Sequence, residues 1–488
     1  MTKKAWRQHA GLPLALAGLT FMLAACGSDA ANGGNDANKQ AANAAATNGT
    51  APANDAAAGT EAGAANNKGA AANTEQSKEP VKVVWWHSMS GELGKAVTQL
   101  VADFNASHPD IKVEEAYQGT YDDSLNKLKA SMDSKSGPTL IQVYEIGSKF
   151  MIDSKAITPV QDFIDADNYD ISSLEENILG YYTFNGKLYS MPFNTSNPIL
   201  YYNKDMFKAA GLDPEKPPAT FEEVKNDAKA LTKDGKTGAS FAIYGWFMEQ
   251  LFANQGADYL NNGNGRSDAA SESLVNSDTG VKTLTWWKDL VDSKVALNLG
   301  RKTDDTKKAF LAGQIGMTLD STAGLRGYVD GAKGKFEVGT AFLPKPDGAQ
   351  DGGVVVGGAS NWIMNNKPAE EQKAAWEFIK YLAQPDIQAK WHINTGYFPI
   401  TKKAYDEQIV KDNMAAYPQF KTAVDQLHAT KLSTATQGAV MGVFPEARQI
   451  VESAIESAFG GTDPKKALDG AAKDITAKID TYNKTTTK

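Results

Sequence analysis

An α/β protein of two lobes arranged as a clamp is the fold this sequence predicts, and three observations predict it. Strand-like apolar runs alternate with amphipathic helical stretches over residues 81–147. An extended passage carrying two prolines, GKLYSMPFNTSNPILYY, then leads into a mainly helical section. Strand-like sequence returns afterwards in QIGMTLD, FEVGTAFLP and GGVVVGGASNWIM. Strands alternating with helices of this length mark α/β units with a largely parallel sheet, and such a unit, interrupted and then resumed, makes one jaw of a two-lobed clamp.

The chain opens with MTKKAWRQHAGLPLALAGLTFMLAACGS, in which Lys3, Lys4 and Arg7 precede an apolar run too short to span a bilayer as a permanent helix. This is the pattern of a secretory signal peptide over residues 1–25. Cys26, the only cysteine, follows Leu23-Ala24-Ala25, a sequence similar to the bacterial lipobox, and is expected to carry a diacyl lipid. No disulfide can form within the chain. Residues 26–79 almost lack large apolar side chains, cannot bury a core, and form a flexible Ala/Asn/Gly-rich linker. As a coil, about 50 such residues span roughly 40 Å, so the body is anchored to a membrane rather than spanning it.

Within the body, VKVVWW reads as a strand. Ser90 is placed to cap the next helix, with Glu92 in its first turn where the helix dipole favours an anion. Leu93, Val97, Leu100, Val101 and Phe104 share one face before His108-Pro109 ends that helix. IKVEEAY is a second strand, Asp122–Met132 a second amphipathic helix, and TLIQVYEIG a third strand. After the crossing, Thr220-Phe221-Glu222-Glu223 makes a capping box, with helices around Trp286-Trp287 and over Lys307–Ala312. PAEEQKAAWEFIKYLAQPDIQAKW reads as one long helix, and helices joined by short loops continue to Lys488. These boundaries give an α/β first lobe of residues 80–196 plus 312–364 and a mainly helical second lobe of 197–311 plus 365–488.

Charge and motifs exclude several functions. Without the three basic residues of the signal segment, 47 basic residues face 58 acidic ones, a formal charge of −11. Such a surface argues against nucleic acid and against polybasic membrane adhesion. There is no G-x-S-x-G, Walker A, G-x-G-x-x-G or H-E-x-x-H motif. His87, His108, His392 and His428 have spacings that suit no metal site, and acidic neighbours such as Glu114-Glu115 point to opposite faces of a strand. No cofactor and no metal are expected, and the chain is not expected to be an enzyme.

Only five of the 50 basic residues are arginine: Arg7, Arg266, Arg301, Arg326 and Arg448. Lysine serves wherever a plain positive charge suffices, so each arginine in the body marks a place where a planar, permanently charged fork is wanted. On the segments WWHSMSGELGKAV, YQGTYDDSL, QVYEIGSK, MPFNTSNPILYYNKDMFKAAGLDPEKPP, VVGGASNWIM and WHINTGYFPITKKAYD, the chain resembles the glycerol-3-phosphate-binding proteins of bacterial ABC importers, members of the extracellular solute-binding protein family. The resemblance covers Val81 to about Asp480; the signal peptide and linker lie outside it.

The resemblance implies a periplasmic-binding-protein-like fold closing over one ligand between the lobes. It implies ligand contacts from Tyr121, Glu145, Ser196, Ser321, Gly358, Tyr397 and Arg448, and from Trp246 in AIYGWFMEQLF, where the family's spacing is not kept. These types suit a glycerol phosphate. Arg448 supplies a charged fork, Ser196, Ser321, Tyr121 and Tyr397 supply hydroxyl donors, and Gly358 a backbone N–H that no side chain blocks. An ionised Glu145 only accepts hydrogen bonds, which suits glycerol hydroxyls and repels phosphate, so the expected polarity is phosphate toward Arg448 and hydroxyls toward Glu145. The implied ligand is sn-glycerol 3-phosphate, with diesters such as glycerophosphocholine; the implied partners are ABC permease subunits. The protein would act as a monomer on the outer face of the cell membrane, or its periplasmic side where an outer membrane exists. An oligosaccharide receptor stacking sugars on Trp85, Trp86, Trp246 and Trp362 is the alternative, and a secreted hydrolase a remote one. His87 and Ser88, at the end of the first strand, are expected at the cleft rim.

Overall fold

A computed structural model describes residues 79–132 and 136–486. The predicted signal peptide, Cys26 and the linker up to residue 78 lie outside the described residues. In chain order the strands are β1 (Val81–His87), β2 (Ile111–Tyr117), β3 (Leu140–Tyr144), β4 (Ile157–Thr158), β5 (Thr183–Phe184), β6 (Lys187–Leu188), β7 (Met191–Ser196), β8 (Pro198–Asn203), β9 (Thr237–Ala239), β10 (Ile315–Ser321), β11 (Val338–Ala341) and β12 (Gly357–Met364).

Two sheets organise the body. The first runs β2-β1-β3-β12-β4, with β7 also paired to β12. Its β1 is parallel to both β2 and β3, as the strand–helix alternation predicts, while β12 returns antiparallel to β3, β4 and β7. The second runs β11-β8-β10-β9. Every residue of β3, β7 and β8 is buried, so these strands are covered on both faces.

The joint between the sheets is one residue long. Ser196 ends β7 in the first sheet, Pro198 opens β8 in the second, and Asn197 alone lies between them. Its carbonyl accepts from the Thr322 N–H at 2.9 Å, and its side-chain oxygen accepts from Gln426 Nε2 at 3.2 Å. The chain passes back to the first sheet between Ala341 and Gly357.

The lobe boundaries differ from those expected. Residues 312–341 do not resume the first lobe, because β10 and β11 pair with β8 and β9 in the second sheet. The second lobe thus owns a four-stranded sheet in addition to its helices. In the other direction, the helix Ala369–Leu382 belongs with the first sheet: Phe378 packs edge-on against Trp85 of β1 and against Phe104. A strand's own sequence shows that it is buried but not which sheet receives it.

Local signals fared unevenly. The first helix spans Gly91–Ser107 and buries Val97, Leu100, Val101 and Phe104 as expected, yet the Ser90 side chain makes no capping bond. The box at Thr220 and Glu223 forms, and a second at Thr120 and Asp123 starts the helix Tyr121–Ser131. The expected long helix after Pro368 is two helices, Ala369–Leu382 and Pro385–Thr395. Proline lacks an N–H and disfavours a helical conformation in the residue before it, so Pro385 starts a new helix instead of continuing the old one.

Candidate functional site

Glu145 follows directly on β3, in the one-turn helix Glu145–Gly147. Arg448 projects from the first turns of the helix Phe444–Phe459, whose Pro445 sits in the first turn, where its missing N–H does no harm. Their side chains meet: Arg448 Nη2 donates to Glu145 Oε1 at 2.8 Å, and both residues are 5% exposed. A second carboxylate holds the same guanidinium, with Nε and Nη2 donating to the two oxygens of Glu249 at 2.8 Å each.

Arg448 and Glu145 are thus bonded to one another, and the arginine fork is also engaged by Glu249, a carboxylate that the sequence did not single out. Glu249 lies on the helix Gly245–Asn254, three residues after Trp246 and hence on nearly the same face. Burial alone would lower the Arg448 pKa, but the facing Glu249 and Glu145 outweigh it and hold the guanidinium above its usual value. Burial raises the Glu249 pKa, with Arg448 opposing and Glu145 and Glu452 adding to the rise.

Trp246 is buried against the cleft strand: a Cβ added to Gly357 of β12 would lie 2.4 Å from its ring. Its indole N–H and the Tyr259 hydroxyl are buried without hydrogen-bond partners among the described residues. Both residues line, with Glu145 and Glu249, an enclosed space of about 10 Å³, room for about one water. Beside it, a cavity of about 330 Å³ opens to solvent between Tyr121, Tyr144, Tyr244, Arg301, Arg448 and Glu452. A cavity of about 440 Å³ lined by Met206, Lys233, Lys236 and Gly313 lies at the opposite end of β10 from Ser321 and takes no part.

On the first-lobe side a row of buried polar groups leads to the predicted tyrosines. The Ser88 N–H donates to Gln142 Oε1 at 2.8 Å, Gln142 Nε2 to Asn194 Oδ1 at 2.7 Å, and Asn194 Nδ2 to the Tyr121 oxygen at 2.8 Å. Burial raises the pKa of both Tyr121 and Tyr397, and the charge of Glu145 adds to the rise. The strand-end segment thus acts behind the site: Met89 N–H donates to His87 Nδ1, so Nε2 carries the proton and faces Glu115 at 3.1 Å. Gln142 and Asn194 were missed, although a polar residue in a strand buried on both faces has to find a partner and could have been singled out on that ground.

The remaining predicted positions cluster at the crossing. Ser196 pairs with Gly357 and Gly358 with Thr195 across β7 and β12, and Ala359 pairs with Tyr144, beside Glu145. The Ser321 hydroxyl accepts from the Ala323 N–H at 3.1 Å, at the end of β10 opposite Pro198. The sugar-stacking alternative loses two of its four tryptophans, since Trp85 and Trp362 are fully buried core residues.

Tyr397 is held from behind. Its carbonyl accepts from His392 Nδ1 at 2.7 Å, its ring stacks on Trp391, and Phe398 N–H donates to the Thr195 carbonyl. Burial pushes the His392 pKa down to about 4 from 6.5, Arg326 adding to the fall and the Tyr397 carbonyl opposing it. The folded value lies below the unfolded one, so this contribution is fully present above about pH 6.5 and is lost as pH falls through about 4. Across that window the loss is about 3 kcal/mol. Urea denaturation at pH 7.5 and 4.5 measures it; a His392→Asn variant losing as much stability as the parent between those pH values would show that another group is responsible.

Among the described residues, no group of three His, Cys, Asp or Glu side chains is arranged to hold a metal ion, and no helix is long and apolar enough to cross a membrane.

Residues 99–422 match the family model described as bacterial extracellular solute-binding protein. The chain is 36% identical over 400 residues to the sn-glycerol-3-phosphate-binding periplasmic protein UgpB of Escherichia coli K12, covering 80% of this chain and 91% of that protein. To the protein of the same name from Pectobacterium atrosepticum it is 35% identical over 413 residues, covering 83% and 92%. The fold is similar to that of UgpB from Mycobacterium tuberculosis in complex with glycerophosphocholine (TM-score 0.71, 22% identity, 83% of this chain and 99% of that one). It is also similar to the cyclic alpha-maltosyl-1,6-maltose binding protein of Arthrobacter globiformis (TM-score 0.67, 25% identity, 82% and 98%). With two sheets joined at Asn197 and a buried ionic cluster where the lobes meet, the chain belongs to the bacterial extracellular solute-binding proteins.

Proposed function

We propose that this protein captures sn-glycerol 3-phosphate or a glycerophosphodiester such as glycerophosphocholine in its cleft and delivers it to the permease of an ABC importer. The single observation that carries this reading is the ion pair between Arg448 of the second lobe and Glu145 of the first, buried where the lobes meet. A ligand with an anionic end and hydroxyls can exchange with both partners of that pair, bonding the guanidinium with phosphate oxygens and Glu145 with its hydroxyls. Tyr121, Tyr397, Ser196, Ser321, the Gly358 backbone and the unpartnered Trp246 N–H complete the donor set. The naming of relatives at 36% identity over most of the body supports the ligand class. These relatives are binding proteins, and the hydrolase alternative falls with that finding.

Closure is a hinge motion at Asn197 in which the ligand bridges the lobes. We place the protein as a monomer at the outer face of the membrane, held by a lipid on Cys26. The oligosaccharide alternative retains one support, the maltosyl-binding structural neighbour.

Calorimetric titration of the purified chain tests the choice. Heat is expected with glycerol 3-phosphate or glycerophosphocholine at affinities of about 1 µM, or −8 kcal/mol, and none with maltotriose or inorganic phosphate. Binding of maltotriose with neither glycerol ester bound would establish the oligosaccharide reading instead.

A further inference from the structure

We infer that Glu249 sets the charge class of the ligand, favouring a phosphodiester over the dianionic phosphate monoester by neutralising Arg448 from behind. The inference rests on the glycerol-phosphate reading above and concerns which member of that class the cleft is built for.

Glu249 takes two of the five guanidinium N–H groups, those on Nε and Nη2, and Glu145 takes the other on Nη2. Nη1 is the nitrogen left for a ligand. If Glu145 turns to ligand hydroxyls, one N–H of Nη2 is released, but the Nε edge stays with Glu249, since both residues come from the second lobe and move together. A phosphate thus meets an arginine whose charge is already offset. The wider surroundings are also acid-rich. Glu452 accepts from the Gly245 N–H, and with Glu456 it shares Arg301, which donates to Glu452 at 3.0 Å and to Glu456 at 2.6 Å. Two arginines therefore stand among four carboxylates: Glu145, Glu249, Glu452 and Glu456. Tyr244, Tyr259 and Tyr181, which sense both Glu249 and Arg448, have their pKa values raised by burial and stay neutral.

A phosphate monoester carries close to two negative charges at neutral pH, its second proton leaving near pH 6. A diester carries one at any such pH. Each negative charge brought in adds to this acid-rich cluster, in which Arg301 of the cavity wall is already held by Glu452 and Glu456, so the second charge of a monoester is the costlier one to accommodate. Room exists for the second alcohol of a diester, because the open cavity of about 330 Å³ has Arg448 in its wall.

The test titrates the full chain at pH 7.5 with three probes: sn-glycerol 3-phosphate, glycerophosphoglycerol and glycerophosphocholine. Both diesters are expected to bind at least about tenfold more tightly than the monoester. In Glu249→Gln the monoester should gain about tenfold or more while the diesters change less than about threefold. Glu249→Met, which removes the carboxylate without introducing an amide, should act in the same direction, and thermal melting confirms that either variant is folded. Equal affinity for all three probes in the parent, or an equal change for all three in the variants, overturns the role of Glu249 while leaving the glycerol-phosphate reading in place. Failure of all three to bind overturns that reading and this inference with it.

Discussion

Arg448→Ala is expected to abolish binding of every glycerol phosphate and to destabilise the folded chain by about 3–5 kcal/mol, the range for removing one partner of a buried ion pair. The side chain is the cation between Glu145 and Glu249, and without it two buried carboxylates are left with no positive partner. The loss therefore has two parts, a ligand contact and an uncompensated charge. The double variant Arg448→Ala with Glu249→Gln separates them: it should recover much of the stability and none of the binding. Arg448→Lys keeps a charge but not the planar fork that spans Glu249, and should retain stability better than binding. Calorimetry and thermal melting on the same samples decide the matter. An Arg448→Ala protein that binds its ligand within about threefold of the parent would sink the assignment.

Gly358→Ala has the next largest expected effect. At φ +89° the residue adopts a conformation that side chains rarely tolerate, and an added Cβ would lie 1.9 Å from the Asn194 carbonyl oxygen. Neither strain nor clash can be relieved by a rotamer change, because the obstacle is backbone in a neighbouring buried strand. Strain of about 1–3 kcal/mol and overpacking of a similar size place the destabilisation at about 3–5 kcal/mol. Since Asn194 also carries the bond to Tyr121, binding should weaken in whatever fraction remains folded. Gly334→Ala is the control: its φ is +77° but nothing lies within 4 Å, so only the strain of about 1 kcal/mol is expected. Equal urea midpoints for the two variants would show that the close approach to Asn194 is unimportant.

Much of the fold was legible because period and punctuation are local. Residues 81–147 alternate strand and helix as read, and the Thr220 box forms. The errors concern information that is not local. Whether QIGMTLD joins the first sheet or the second depends on how the chain crosses between lobes, and no residue in it records that. At the site, the resemblance brought Glu145, Arg448, Tyr121 and Tyr397 into one neighbourhood, but residue types could not reveal that Arg448 has two acidic partners. Glu249 belongs to no motif. It would have been found only by asking what a buried arginine does with the edge its ligand leaves unused.

The polar row behind Tyr121 has a sense of direction. It begins at the main-chain amide of Ser88, a group that can give a hydrogen but never receive one, and that fixes every later member. Gln142 has to present its oxygen to Ser88 and its NH₂ to Asn194, and Asn194 has to do the same for Tyr121. The arrangement is a one-way relay, and neither amide can be flipped without opposing like groups. Tyr121 therefore has its oxygen occupied by the Asn194 amide and keeps its own hydrogen to give. That hydroxyl is fixed as a giver of hydrogens, and it needs no charge of its own to favour an oxygen-rich partner.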